Sequence, residues 1–431
     1  MSSKVLALAL CGLSLAAVSL HAREENPQIE RIRELGKKNA AALPLLSQYL
    51  NDSGRDVRIE AVKAIVKIGG AGSLDPLVQA THDKDEDVQI FATDGLVNYY
   101  VPGYVAQGRL TGSFTRGVRQ MKSMFSARND QAIDPATEVR PDVNKAISDL
   151  ITQGAGVNAR ANAALAAGIL RDHDAVPSLL QALHGKDNDL LFESLVALQK
   201  IKDPSAGPGV SFLAHDLDDR VQATALETIG LLRSSQSAPD VRAALQSARN
   251  IRIRRAALDA LAQLGQPQDR ATFQRYAEDR DVALRTSALE GLGRIREPED
   301  FPALQKAFDE GEIDWRIHLA AAFGMVDEGK VDTGEFDPLP FLVENLANKS
   351  RADVAIAYLA ELVQHENVRS AVVKMIPQMG KNQKVALCTV LAEAQTPDAA
   401  QTLNALLKDG DSDVALAASK ALRTLKTRQP L

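Results

Sequence analysis

The side chains best suited to chemistry in this 431-residue chain are few and scattered. His184 and His215 stand 31 residues apart, and Asp187 and Asp218 follow each by three, so an imidazole and a carboxylate recur with one spacing. His82 occupies the equivalent position earlier in the chain. Both groups are zinc ligands, but a zinc site needs four donors about 2 Å from one ion, and nothing local brings these together. A histidine at a helix C-terminus is already favoured by the helix dipole. Acidic runs occur at Asp83-Lys84-Asp85-Glu86-Asp87 and Asp409-Gly410-Asp411-Ser412-Asp413. The second opens like a calcium loop, yet its sixth residue is Val414 and its twelfth Lys420, where that loop needs Gly and Glu. Phosphate-binding, dinucleotide-binding, zinc-protease and nucleophile-elbow motifs are missing. No catalytic set, metal site or cofactor is assigned.

A second group suits binding better than catalysis. Tyr99, Tyr100 and Tyr104 place three of the six tyrosines within six residues. Beyond them Leu110, Phe114, Val118, Met121 and Phe125 recur at intervals of 4, 4, 3 and 4, while Arg109, Arg116, Arg119, Lys122 and Arg128 take other faces. This spacing predicts a basic amphipathic helix with aromatic residues. It would pack back on the fold, anchor a partner through Tyr and Arg, or lie on an anionic membrane surface.

These residues interrupt a pattern that fills the rest of the chain. With Val57 as anchor, equivalent positions fall at Val88, Ala159, Leu190, Val221, Ile253, Leu284, Trp315, Val354, Gln383 and Val414, at spacings of 31, 71, 31, 31, 32, 31, 31, 39, 29 and 31. Four residues on stand Ala61, Ala92, Ala163, Ser194, Ala225, Ala257, Ala288 and Ala418, with larger residues at Leu319, Tyr358 and Leu387. Aliphatic residues follow at plus eight, so each unit carries an apolar stripe of helical period. A shorter apolar run with proline near its start precedes each stripe, as in Ala175-Val176-Pro177-Ser178-Leu179-Leu180. A fixed period of this length marks stacked helix pairs.

The units resemble HEAT repeats of the short kind found in phycobilisome lyases, over roughly residues 40 to 98 and 142 to 425. The resemblance implies an all-α fold, an α-solenoid of about 11 two-helix repeats, with the second helix of each pair on the concave wall. It also implies a ladder in which Asp of one repeat meets Arg of the next. Arg58, Arg160, Arg254, Arg285, Arg316 and Lys384 share the position after the anchor. We expect Arg254, Arg285, Arg316 and Lys384 to face the groove and select an acidic partner.

Composition fits this class: 45% apolar, 25% charged and only 4% aromatic residues give an aliphatic core suited to helix packing. Lys4 and the apolar run Val5 to Leu20 read as a secretory signal over residues 1–22. Its removal changes the formal balance of 50 minus 56 to 49 minus 56, or minus 7. That acidic balance argues against general nucleic-acid binding. Cys388 is then the sole cysteine of the mature chain and occupies an aliphatic position.

The expected organisation is a signal at 1–22, a helical segment and repeats over 23–98, an insert at 99–141 and repeats over 142–431. The expected function is a non-catalytic periplasmic or extracellular scaffold that binds a protein or peptide through the concave face and the insert. The alternatives are a lyase-type or chaperone-like protein handling a prosthetic group, suggested only by the repeat family, and membrane-surface association through the insert. N-terminal sequencing of the exported protein should begin near Leu20 or Arg23; a soluble cytoplasmic chain starting at Met1 or Ser2 contradicts the signal.

Overall fold

The computed structural model describes residues 26–105, 131–310 and 314–428. Among them every regular element is helical. The anchors lie on eleven inner helices: α1 Arg55–Ile68, α2 Glu86–Tyr100, α3 Val157–Ile169, α4 Asn188–Ile201, α5 Asp219–Leu231, α6 Ile251–Leu264, α7 Val282–Ile295, α8 Trp315–Asp327, α9 Ala352–Leu362, α10 Lys381–Ala394 and α11 Ser412–Arg428. An outer element precedes each and is in most repeats the shorter of the two, such as Leu74–Ala80 before α2 or the 3-10 segment Pro204–His215 before α5. The fold is the expected all-α solenoid.

The acids that cap the inner helices are not those directly before the anchors. The N-cap stands three residues before the anchor, where a short side chain reaches the free N–H groups of the first turn. Asp218 accepts from Arg220 N at 2.9 Å and from Val221 N at 3.0 Å. Asp85, Asp187, Asn250 and Asp281 cap α2, α4, α6 and α7 in the same way. Asp56, Asp87 and Asp413 instead lie inside the first turn, where their charge complements the helix dipole.

This capping rule corrects the register in two repeats. Asp314 caps α8, which makes Ile317 its anchor, buried at 2%, while Trp315 lies at the rim and is half-buried. The small residue four further on is then the fully buried Ala321. In α9 the buried stripe is Ala355, Leu359 and Leu362, one residue beyond the expected Val354. Trp315 misleads because 31-residue spacing is counted across a repeat that is two residues longer.

Inner helices α2 and α3 are neighbours, so the stack runs unbroken past the insert. Gly156 offers no side chain to cap α3; Glu86 of α2 does so, accepting from Asn158 N at 2.6 Å and Ala159 N at 3.1 Å. A Cβ at Gly156 would collide with that carboxyl group. Asn162 also donates to Asp94 of α2 at 3.0 Å. Helix α2 extends through Tyr100 and Pro141 opens the next outer helix, Pro141–Gln153. The chain therefore leaves the repeats after Tyr100, two residues later than the expected boundary.

Close approach of inner helices depends on a glycine nine residues after the anchor. A Cβ on Gly168 would lie 2.7 Å from Ala197 Cα, and one on Gly230 would lie 2.9 Å from Ala260 Cα. Gly293 meets Gly324 of α8 still more closely. Residues at plus twelve end the inner helices in the left-handed region: Arg171, Lys202, Arg233, Arg296 and Gln395 have φ between 50° and 60°. Gly69, Gly265 and Gly329 serve where glycine is present.

Helix α8 divides the core. Ile317, Ala320, Ala321 and Met325 join a cluster reaching back to Ile32, whereas Leu319, Ala322, Phe323 and Val326 join one reaching forward to Leu425. Because Ala225 and Ala257 are fully buried and Ala283 is half-buried, Ala225→Leu or Ala257→Leu should cost about 1 to 3 kcal/mol in denaturant unfolding, and Ala283→Leu less. Gly293→Ala should likewise destabilise, while Gly410→Ala, with open space around it, should not.

Candidate functional site

A second face of each inner helix, turned about 120° from the apolar stripe, carries the residues three, six and ten after the anchor. At plus six these are Lys63, Asp94, Leu165, Val196, Glu227, Asp259, Glu290, Phe323 and Glu361. Glu361 of α9 reaches back along this face to Arg233, at the end of α5, at 2.6 Å. Helices four places apart in a straight stack stand roughly 32 to 40 Å apart. Such a contact requires the stack to curve toward this face, which is therefore the concave wall.

The row changes character along its length. Lys63 opens it, lying over the Phe91 ring at 4.9 Å. Leu165 and Val196 follow and are buried. Glu227, exposed, and Asp259 and Glu290 then put carboxylates in three successive repeats. Asp259 accepts from Gln263 at 2.8 Å and from Ser287 at 3.3 Å. Burial, reinforced by the Glu290 charge, pushes the Asp259 carboxyl up to about 7.

Glu290 ends the acidic run in a satisfied network. Arg294 donates to it at 2.8 Å and Tyr358 Oη donates to it at 2.8 Å. Tyr358 stacks on Phe323 with ring centroids 4.6 Å apart. Arg294 also pairs with Glu361 and lies 4.8 Å over the Phe323 ring. Burial pushes the Glu361 carboxyl up, but Arg294 and Arg233 overcome it and hold the group below its ordinary range. Burial likewise opposes the Arg294 charge, and Glu290 with Glu361 restores it.

The cations after the anchors are placed otherwise than expected. Three of them, Arg58, Arg285 and Lys384, reach an acid of the following repeat. Arg58, 4% exposed, donates to Asp83 of the next repeat at 2.6 Å and to the Asp52 carbonyl at 3.1 Å. Arg285 pairs with Glu310 at 2.7 Å and Lys384 with Asp409 at 2.8 Å, both 25 residues on. Arg316 folds onto its own N-cap, Asp314, at 3.0 Å. Arg254 is half-buried on α6. Arg285 and Lys384 thus join repeats instead of facing the groove, where carboxylates stand at plus six in three successive repeats. The Asp-to-next-Arg ladder exists elsewhere, where Asp189 meets Arg220 at 3.1 Å.

The tyrosines separate into two roles. Tyr104 is 6% exposed in the core, and Tyr100 accepts a hydrogen bond from Arg140 N at 3.0 Å. Tyr99 is 37% exposed and meets Tyr100 edge-on at 4.9 Å. Arg109, Phe114, Arg116, Arg119, Lys122 and Phe125 lie outside the described residues. The histidines do not converge: His184 stacks on Phe212 at 4.9 Å and His215 faces Asp240 at 3.4 Å. Cys388 is 2% exposed, and burial pushes its thiol up to about 11. Among the described residues no helix is long and apolar enough to cross a membrane.

Stacked helix pairs with a concave inner wall define an all-α solenoid. The family model for HEAT repeats matches residues 14–96 and 208–274. Over those stretches the chain carries HEAT repeats. Solved structures of similar form include one reported for a phosphorylation switch in the interaction between cadherin and beta-catenin, at 13% identity, covering 92% of this chain and 96% of that one with a TM-score of 0.40. Another is the complex of CpcE and CpcF of phycocyanin lyase from Nostoc, at 18% identity, 74% and 94% coverage and a TM-score of 0.31. Human deoxyhypusine hydroxylase gives 18% identity, 59% and 96% coverage and a TM-score of 0.28. No curated protein matches the sequence.

The raised Asp259 carboxyl fixes a direction of pH dependence. Its unfolded value is about 3.9, so between there and about 7 the folded chain binds the extra proton, and stability from this group falls as pH rises through that window. Asp259→Asn should therefore stabilise the fold at pH 8, on the order of 2 kcal/mol, with little effect at pH 4. Denaturant unfolding at both pH values checks this, and equal effects at the two would contradict it.

Proposed function

We propose that this protein is a non-catalytic scaffold, exported from the cytoplasm, that holds a protein or peptide partner on its concave wall. The carrying observation is the wall itself: the plus-six row runs along nine successive inner helices, α1 to α9, and includes the exposed Glu227. Curved solenoids commonly use such extended surfaces to hold a partner chain. The open part of the wall between α5 and α6 carries Glu227 and Asp259, which favours a partner segment with basic side chains facing them. Tyr99, exposed near the end of α2, and the insert that follows supply further contacts, with Tyr99 as the aromatic anchor and Arg116, Arg119 and Lys122 as the source of charge steering.

Capture of partners by the mature chain from its own secreted fraction, repeated with residues 106–130 deleted, tests this reading. Tyr99→Ala should weaken capture by about 1 to 2 kcal/mol while leaving the melting temperature unchanged. Tyr104→Ala should do the reverse, because its ring fills the core. Capture that survives both the deletion and Glu227→Lys unchanged would contradict the proposed surface.

A further inference from the structure

The contact of α9 with α5 and α7 has the form of an internal ligand. Glu361 presents one carboxylate to two guanidinium groups that come from different repeats, Arg233 at 2.6 Å and Arg294. The pairs span 128 and 67 residues of sequence. Regular packing of neighbouring repeats does not generate them. They become possible where the anchor spacing lengthens, in the segment Glu328 to Asp337 that separates α8 from the outer helix Pro338–Asn345.

The two cations differ in how they are held. Arg294 is 9% exposed and is also tied to Glu290 at 2.8 Å, within its own helix. Arg233 is 56% exposed and sits in the left-handed region with φ of 50°, which aims it from the end of α5 toward α9. An exposed pair of this kind is weak and exchangeable. We propose that Arg233 and Arg294 form a carboxylate-binding site of the concave wall, that Glu361 occupies it as a built-in competitor, and that an acidic side chain of the partner replaces Glu361 and lifts the end of α9. This rests on the reading of the concave wall as the partner surface. It reserves one acidic contact for the α5–α7 sector, beside the basic contacts favoured by Glu227 and Asp259.

The sole tryptophan of the chain reports the movement. Trp315 lies at the start of α8, and Arg351, the residue before α9, stands 5.8 Å over its ring. Displacement of α9 shifts that cation and changes the indole emission. Other charged groups around Glu361 are Glu290 on α7 and, beyond it, Asp259 on α6.

Hexaglutamate titrated into the full chain, read by Trp315 emission and by calorimetry, tests the site. Glu361→Gln removes the competitor and should bind the probe at least about tenfold more tightly than the unaltered chain. Arg233→Ala added to Glu361→Gln should abolish that gain. The unaltered chain alone, taken from about 0.05 to 1 M salt, should shift its Trp315 emission part of the way toward that of Glu361→Gln, because screening weakens the exposed Arg233 pair while the buried Arg294 pair is screened much less; this arm stands even where a variant folds poorly. Equal probe affinity in the unaltered chain and Glu361→Gln, or Trp315 emission insensitive to salt, overturns the proposal. Normal partner capture by a folded Arg233→Ala chain overturns it while leaving the scaffold reading intact. A probe response without any captured partner has the opposite meaning.

Discussion

Everything in this protein depends on how closely successive inner helices can approach. The contact is made by backbone against backbone, with Gly168, Gly230 and Gly293 admitting the neighbouring helix where any side chain would hold it away. Fully buried alanines at plus four complete the interface on the other side of the anchor. Once that distance is set, the outer helices can only splay around it, and the stack bends toward the inner face. The concave wall is thus a consequence of small residues, and the plus-six row lies along it, exposed at Glu227 and paired across the wall at Glu290 and Glu361.

Electrostatics then act on a frame already fixed by packing. Asp218, Asp281 and their equivalents cap helices and define where each begins, while Arg58, Arg285 and Lys384 tie one repeat to the next. A further set links buried aspartates of the inter-helix turns to arginines of the preceding repeat, as Arg242 to Asp269 at 2.6 Å and Arg270 to Asp300 at 2.7 Å. The exposed pairs select register more than they supply stability, whereas loss of one partner of the buried Arg58–Asp83 pair would leave an uncompensated charge. Where the register is broken, between α8 and α9, the charges are used differently: they fasten one part of the wall to another.

The period, the apolar stripe and the small residues at plus four were all legible, because a helix that must bury one face against the same neighbour every 31 residues repeats its side-chain sizes. The shift at Trp315 was not, since an aromatic residue at the rim satisfies a hydrophobic pattern as well as a buried one. Left-handed turns at Arg171, Lys202, Arg233 and Arg296 carried no signal, because tertiary contacts impose there a conformation that glycine would advertise. The acids at plus six in three successive repeats were readable, but their meaning needed α9, whose approach from 67 and 128 residues away no local spacing encodes. Tyr104 misled for the reason Trp315 did: a cluster of aromatic residues looks the same in sequence whether it faces a partner or the core.

The central claim is that the solenoid curves until α9 meets α5 across its own concave face. A distance measurement between spin labels at the exposed Ser235 and Gln364, one just after Arg233 and the other just after Glu361, tests it most directly. The account predicts a short distance, about 20 Å or less, at low salt. A distance of about 35 Å or more, as four steps of a straight helix stack would give, contradicts it.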